Sequence, residues 1–244
     1  VIHSESRDRV ALLTIDRPER RNALDTEHCR LLLEALLAAG TQGARAVVIT
    51  GAGPAFCAGA DLQGVYSEEF RVALRALLDR LPAIPQPVIA AVDGPALGAG
   101  TELACAADLR VCGSGARFGI PAARLGIAIH ERSVRRLVRL LGESLARAVL
   151  LAAAEVDAAT ALRTGFAHRP GGLDVALAWA AEIAALAPLS IAAHKLALEL
   201  VSSGPPEDDP AIADAVRTAW ESEDFREGLA AFRERRAPGF EGRG

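Results

Sequence analysis

One carboxylate stands apart in the stretch "GPALGAGTELAC", residues 94–105. Glu102 lies among Leu103, Ala104, Cys105, Ala106 and Ala107, and three glycines, Gly94, Gly98 and Gly100, crowd the approach to it. A second turn of small residues, "FCAGADL" (56–62), matches "LGAGTEL" (97–103) in character. Turns without side chains let backbone N–H groups come close to a ligand. The second turn also opens a helix, where unpaired N–H groups and the helix dipole favour negative charge. Two such turns facing each other make a two-donor oxyanion hole for the charge that develops when a carbonyl becomes an enolate or a tetrahedral species. Losing one such donor commonly costs about 3–4 kcal/mol of transition-state stabilisation. A carboxylate on this apolar turn is expected to be partly desolvated, which raises its pKa and suits proton exchange near neutrality. The competing reading of Glu102 is an ordinary salt-bridged or exposed helix acid. Phosphate-binding fingerprints use glycines in the same way, but no GxxxxGK[ST] is present, and the Gly98 turn follows a third strand rather than a first.

Strands and helices alternate around these turns. "RVALLTID" (9–16), "RAVVITG" (45–51), "PVIAAVDG" (87–94) and "LRVCG" (109–113) read as strands. Residues 25–40, capped by Asp25 or Thr26 and closed by Gly40, read as an amphipathic helix, as do 67–81, which end before Pro82. A further helix runs from the Gly98 turn to near Asp108. This alternation implies parallel pairing, with ligands held in loops that follow strands. From Glu131 onward the pattern is helical: Glu131–Leu141, Glu143–Ala153, Asp157–Thr164, Leu173–Ala185, Pro188–Val201, Asp209–Ser222 and Asp224–Arg235. "SSGPPEDDP" (202–210) reads as a hinge.

Composition narrows the partners. The 244 residues are 51% hydrophobic but only 4% aromatic, and alanine is abundant, which favours closely packed helices. A formal charge of −4 argues against nucleic acid. No apolar run approaches membrane-spanning length, and residues 1–30 carry no signal-peptide pattern, so a soluble, cytoplasmic protein is expected. The chain opens on Val1 and holds no methionine, which reads as a trimmed start. Cys29, Cys57, Cys105 and Cys112 lack metal-site spacing and read as buried thiols.

Several ordered motifs resemble the crotonase superfamily, the enoyl-CoA hydratases and isomerases, across nearly the whole chain. "RPERRNAL" (17–24) is similar to its first CoA-contacting loop, "AFCAGADL" to its AGAD signature, "GPALGAGTELACAADLRV" to its glycine turn and catalytic helix, and "ARFGIPAARLGI" to its FGxPExxLG segment. The resemblance implies an α/β fold, the crotonase (ClpP-like) spiral of repeated ββα units over residues 1–187. It also implies a helical region, 188–244, that builds trimers, often paired into hexamers. It makes the N–H groups of Ala60 and Ala99 the oxyanion-hole donors and Glu102 the first catalytic glutamate. It brings Arg20, Asn22, Ala23, Leu24, Ala58, Asp61 and Leu62 to coenzyme A, with Arg17, Arg20 and Arg21 as candidates for its phosphates. No metal or redox cofactor is implied; coenzyme A arrives as part of an acyl-CoA thioester.

The chain departs from the family at its second glutamate, where "FGIPA" places Ala122. A methyl group cannot orient water or relay a proton. The usual PGxGGT is replaced by "IAIHERSVRRL" (127–137), which sets His130 where some isomerases carry a catalytic aspartate. His130 can act as base or donor, oriented by Glu131, or can simply begin a solvated helix. Arg132, Arg135, Arg136 and Arg139 share a helix and read as a basic or solvated face. Three functions follow: a single-base enzyme on acyl- or enoyl-CoA, with isomerisation or weak hydration favoured; a protein that binds acyl-CoA without turning it over, which a branch of the superfamily resembles; or a structural oligomer with a relic pocket.

Overall fold

The structure, a computed structural model, describes residues 1–62, 67–203, 221–236 and 238–239. The expected hinge at 202–210 and helix at 209–222 lie largely outside the described residues. The chain is mixed α/β and divides into two compact units. The first comprises residues 1–118 and 157–204, the second 119–156 and 205–244. This division runs elsewhere than the 187/188 boundary drawn from sequence.

The first unit is built on a sheet of six strands in the order β1-β2-β3-β4-β6-β9. These are β1 (Ile2–Arg7), β2 (Val10–Ile15), β3 (Ala46–Gly51), β4 (Val88–Val92), β6 (Leu109–Cys112) and β9 (Arg169–Pro170). Strand β1 pairs antiparallel with β2, and every later pair is parallel. The sequence pattern missed β1 for a physical reason: it is a polar edge strand whose side chains are nearly all exposed, so it shows no apolar alternation. Only its ladder to β2 makes it a strand. Short strands β5 (Pro95–Leu97), β7 (Arg117–Gly119) and β8 (Glu155–Asp157) complete the set.

Helices α1 (Thr26–Thr41), α2 (Glu68–Ala83) and α3 (Ala99–Ala106) connect the strands, and α5 (Ala158–Arg163), α6 (Leu173–Ala184) and α7 (Pro188–Ser203) follow later in the same unit. Asp25 caps α1 through the His28 N–H at 2.9 Å, and Ser67 caps α2 through the Phe70 N–H at 3.1 Å. Helix α2 runs past Pro82, further than expected, because a proline in the last turn removes only its own N–H from the helix and Ile84 N–H closes on Arg80 O. Every second residue of the strands, Val10 and Leu12, Ala46 and Val48, Ile89 and Ala91, Val111, faces Ala176, Ala180, Ile183 and Ala184 of α6. The alanines of α6 let its backbone lie close to the sheet.

Two buried cations fix this unit. Lys195 on α7 donates to Leu81 O (3.0 Å), Gln86 O (2.8 Å) and Asp108 Oδ2 (2.6 Å). Asp108 also accepts the Val88 N–H that starts β4. Burial pushes the Asp108 carboxyl above its ordinary range, and the Lys195 ammonium opposes that rise. Removing one partner of such a pair typically costs about 3–5 kcal/mol. Arg110 on β6 is fully buried and donates to Ala104 O (3.0 Å), Ala107 O (2.9 Å) and Phe166 O (2.6 Å). Its guanidinium thereby satisfies carbonyls at the C-terminal end of α3.

The second unit holds α4 (Glu131–Leu151), the 3-10 turn Pro121–Leu125 and α8 (Glu223–Glu234). Gly142 leaves helical geometry inside α4 (φ +75°), separating the two helices that the sequence places at 131–141 and 143–153. Helix α8 rests on the turn at Gly228, where a Cβ would fall 2.4 Å from Leu125 O.

Candidate active site

The two glycine turns lie against each other. Cys57 N–H donates to Pro95 O (3.2 Å) and Leu97 N–H to Cys57 O (2.9 Å), so the chains run in parallel up to the turns. Beyond that point the fit leaves no room for side chains. A Cβ on Gly100 would stand 2.1 Å from Cys57 O, and one on Gly59 would stand 2.9 Å from Leu97 O and 3.8 Å from Ala99 N. Gly59 (φ +110°) and Gly98 (φ +52°) also adopt backbone conformations that residues with a Cβ rarely reach.

The direction of the two expected donor amides follows from peptide geometry. Gly59 O accepts the Leu24 N–H at 2.8 Å. In a planar trans peptide the N–H opposes the C=O, so the Ala60 N–H points away from the 17–24 loop. Gly98 O accepts the Glu102 N–H at 3.0 Å as the first bond of α3, so the Ala99 N–H points out of the helix N-terminus. Among the described residues neither amide donates to a backbone carbonyl. Glu102 is the fourth residue of α3 and half-buried. Thr101, fully buried beside it, donates its hydroxyl to Ala96 O at 2.6 Å and fastens α3 to β5. The Cys57 thiol under the first turn is pushed up to about 12 by burial and stays protonated.

The 17–24 loop is laced onto the first turn. Ala58 N–H donates to Arg21 O (2.9 Å), and Asp61 N–H donates to Leu24 O (2.7 Å). The structure thus brings Arg20, Asn22, Ala23, Leu24, Ala58 and Asp61 into one place, with Leu62 following directly. It changes what three side chains can do. Arg17 is not available to phosphates: its guanidinium lies 2.9 Å from Asp61 Oδ2 and 3.3 Å from Asp25 Oδ2, and donates to Ala23 O. Asn22, wholly buried, accepts the Arg17 N–H and donates to Ala52 O (2.8 Å) and Ala55 O (2.6 Å). Asp61 is buried against Arg17. Asn22 and Asp61 are thus buried and hold the loops together, whereas Arg20 and Arg21 are exposed. Burial pushes the Asp25 carboxyl up, but hydrogen bonds from His28 and the charges of His28 and Arg17 bring it below its ordinary value.

In the second unit Ala122 occupies the 3-10 turn Pro121–Leu125. His130 is the N-cap of α4, its Nδ1 accepting the Arg132 N–H at 3.2 Å. Glu131 forms an i,i+4 ion pair with Arg135. Arg110, Lys195 and the Arg17–Asp61 pair were not singled out from sequence as fixtures of the fold. The available signal was a lone arginine inside the apolar strand "LRVC"; the ion pairs join residues too far apart in sequence to leave one.

Comparison with known proteins fits this geometry. The family model described as enoyl-CoA hydratase/isomerase matches residues 5–243. "Probable enoyl-CoA hydratase echA6" of Mycobacterium tuberculosis is 45% identical over 236 residues, 95% of this chain and 96% of the relative. The 2,3-dehydroadipyl-CoA hydratase of Escherichia coli is 36% identical over 96% of each chain. Among solved structures, carnitinyl-CoA hydratase from Mycobacterium avium superposes with a TM-score of 0.84 at 34% identity, covering 99% of this chain and 98% of its own. Methylmalonyl CoA decarboxylase shares the fold at a TM-score of 0.91 and 24% identity, with 99% and 98% covered. The chain belongs to the enoyl-CoA hydratase/isomerase family and has the crotonase fold. Among the described residues no single helix is long and apolar enough to cross a membrane.

Proposed function

We propose that the protein binds an acyl- or enoyl-CoA thioester and stabilises its enolate with the N–H groups of Ala60 and Ala99, while Glu102 moves the proton. One observation carries this reading: the carbonyls of Gly59 and Gly98 are both held inside the protein, so the amides of Ala60 and Ala99 are turned outward at two turns packed in contact. Arg20 and the backbone of Ala23, Leu24, Ala58 and Leu62 hold the coenzyme A moiety. With Ala122 at the second acid position, single-base chemistry, isomerisation or weak hydration, is favoured over the two-glutamate addition of water. The reaction needs no metal or redox cofactor.

The test is a screen of saturated, 2-enoyl and 3-enoyl-CoA thioesters for both binding and product. Glu102→Gln is expected to lower turnover by about 10²–10⁴-fold, the usual contribution of a general acid–base, at similar thioester affinity. Unchanged turnover removes Glu102 from the mechanism.

A second reading is a protein that holds acyl-CoA without turning it over. The second unit favours it, because His130 is used as a helix cap and Glu131 is paired with Arg135. Calorimetric binding with no product from any thioester in the screen selects this reading; robust turnover abolished by Glu102→Gln rejects it. We also propose self-association into trimers or hexamers in the cytoplasm, with residues 188–244 at the interface. Leu189 and Leu196 of α7, seven residues apart and so on one side of the helix, are 84% and 63% exposed, an apolar stripe suited to a second copy. A monomer in sedimentation at micromolar concentration overturns that assembly.

A further inference from the structure

The Ala60 amide does not hold its own direction. Its orientation depends on Gly59 O and Asp61 N–H both being bonded to Leu24, at 2.8 and 2.7 Å. Leu24 in turn ends a loop in which Arg21 and Asn22 take successive left-handed conformations, φ +51° and +60°. Such a loop is not self-supporting and keeps its shape only through outside ties. Asn22, through Ala52 O and Ala55 O, and the Ala58 N–H on Arg21 O supply some of them, and Arg17 supplies the one that reaches Asp61. Its guanidinium reaches Asp61 Oδ2 (2.9 Å), Asp25 Oδ2 (3.3 Å) and Ala23 O (3.1 Å), and its backbone N–H binds Asn22 Oδ1 (2.9 Å). The side chains of Arg17 and Asp61 are only 18% and 9% exposed, so solvent screens this contact weakly. A planar fork can serve three diverging acceptors at once, which a lysine ammonium on a flexible stem cannot do at the same positions.

We propose that Arg17 is a positioning residue for the oxyanion hole: through Asp61 on one side and Ala23–Leu24 on the other, it fixes the peptide that presents the Ala60 N–H. The inference rests on the reading that this amide meets the thioester carbonyl. Its consequence is specific. Loss of the Arg17–Asp61 contact should weaken polarisation of the carbonyl without weakening coenzyme A binding in proportion, because Arg20 and the backbone of Ala58 remain.

The experiment uses 4-(dimethylamino)cinnamoyl-CoA, a thioester whose absorbance moves to longer wavelength when its carbonyl is polarised. In the full chain, Arg17→Met and Asp61→Asn are expected to bind it no more than about tenfold more weakly than the parent, because Ala23 and Leu24 also contact coenzyme A, yet to lose at least half of the red shift. Turnover should fall roughly 10–100-fold with KM raised no more than about tenfold, as expected for weakening one donor of the hole. The double variant should be no worse than either single one, since both cut the same link. Arg17→Lys should fall between. Asp61→Asn keeps the side-chain shape and carries the test if Arg17→Met fails to fold. Variants with native circular dichroism and the full parental red shift overturn the inference alone. A parent protein that binds the probe with no red shift overturns the oxyanion-hole reading, and this inference with it.

Discussion

The turn pair at 57–60 and 97–100 and the segment 121–131 are both short, irregular and rich in small residues, yet they place polar groups by opposite means. In the first, glycines bring two backbones into contact, and the carbonyls are consumed so that the amides of Ala60 and Ala99 turn outward. In the second, side chains serve the local fold: His130 caps α4, Glu131 pairs with Arg135, and Arg124 donates to Ala153 O at 3.0 Å. The Ala122 side chain brings no polar atom. On our reading, the means of holding a thioester carbonyl has been kept and the second proton-handling group has been exchanged for helix-end chemistry. Stabilising charge with the backbone depends on shape, which many side-chain changes leave intact; moving a proton depends on one side chain, which a single substitution removes.

The comparison breaks first at Gly98. Its φ of +52° and ψ of −120° belong almost entirely to glycine, so Gly98→Ala should cost about 1–3 kcal/mol of stability through strain. Displacing the Ala99 amide should also lower turnover about 10²–10³-fold. Steady-state kinetics together with a melting curve check both, and parental turnover in this variant would sever the turn from the chemistry.

Restoring an acid sharpens the other half. Ala122→Glu should raise hydration of crotonyl-CoA at least about tenfold if the missing carboxylate is what limits addition of water. No gain, with thioester binding intact, would mean that the 127–131 segment has been rebuilt beyond a one-residue repair.

The cap is a smaller effect. His130→Ala should cost about 1 kcal/mol and a few degrees of Tm, whereas His130→Ser, which also accepts from the helix N-terminus, should recover most of it. If the Ser variant is as stable as the parent but at least about tenfold slower, His130 moves protons as well as capping α4.

The smallest effect compares two histidines used as acceptors. His168 Nδ1 accepts the Arg110 N–H at 3.1 Å, as His130 accepts from Arg132. Partial desolvation, then the Arg110 charge, holds the His168 pKa below its ordinary 6.5, and the N–H that Nδ1 accepts is open only to the neutral ring. The unfolded ring therefore takes a proton before the folded one does. Stability from this group is complete above pH 6.5 and is lost as pH falls below that value toward the folded pKa. Urea midpoints between about pH 5 and 7.5 should show this slope, and His168→Gln should flatten it.

Much of this was legible in the chain. Alternating apolar strands, the polar helix start at Asp25–Thr26 and the glycine turns are local signals, and the observed elements follow them to within a residue or two. The edge strand β1 was not legible, because a polar strand is defined by its neighbour. Nor was the commitment of Arg17. A guanidinium in a basic loop reads as a phosphate contact until the fold brings Asp61 to 2.9 Å from it.

By itself, then, the order of residues determined which segments could be strands, which turns had to be glycine, and that position 122 carries no acid, since these depend on φ, ψ and side-chain chemistry at single positions. Which way the Ala60 amide points, which arginine is consumed and which stays exposed, and that α7 is anchored to the sheet by Lys195 were decided by tertiary structure alone. Each depends on a hydrogen bond or ion pair between groups distant in sequence, and no local preference encodes who the partner will be.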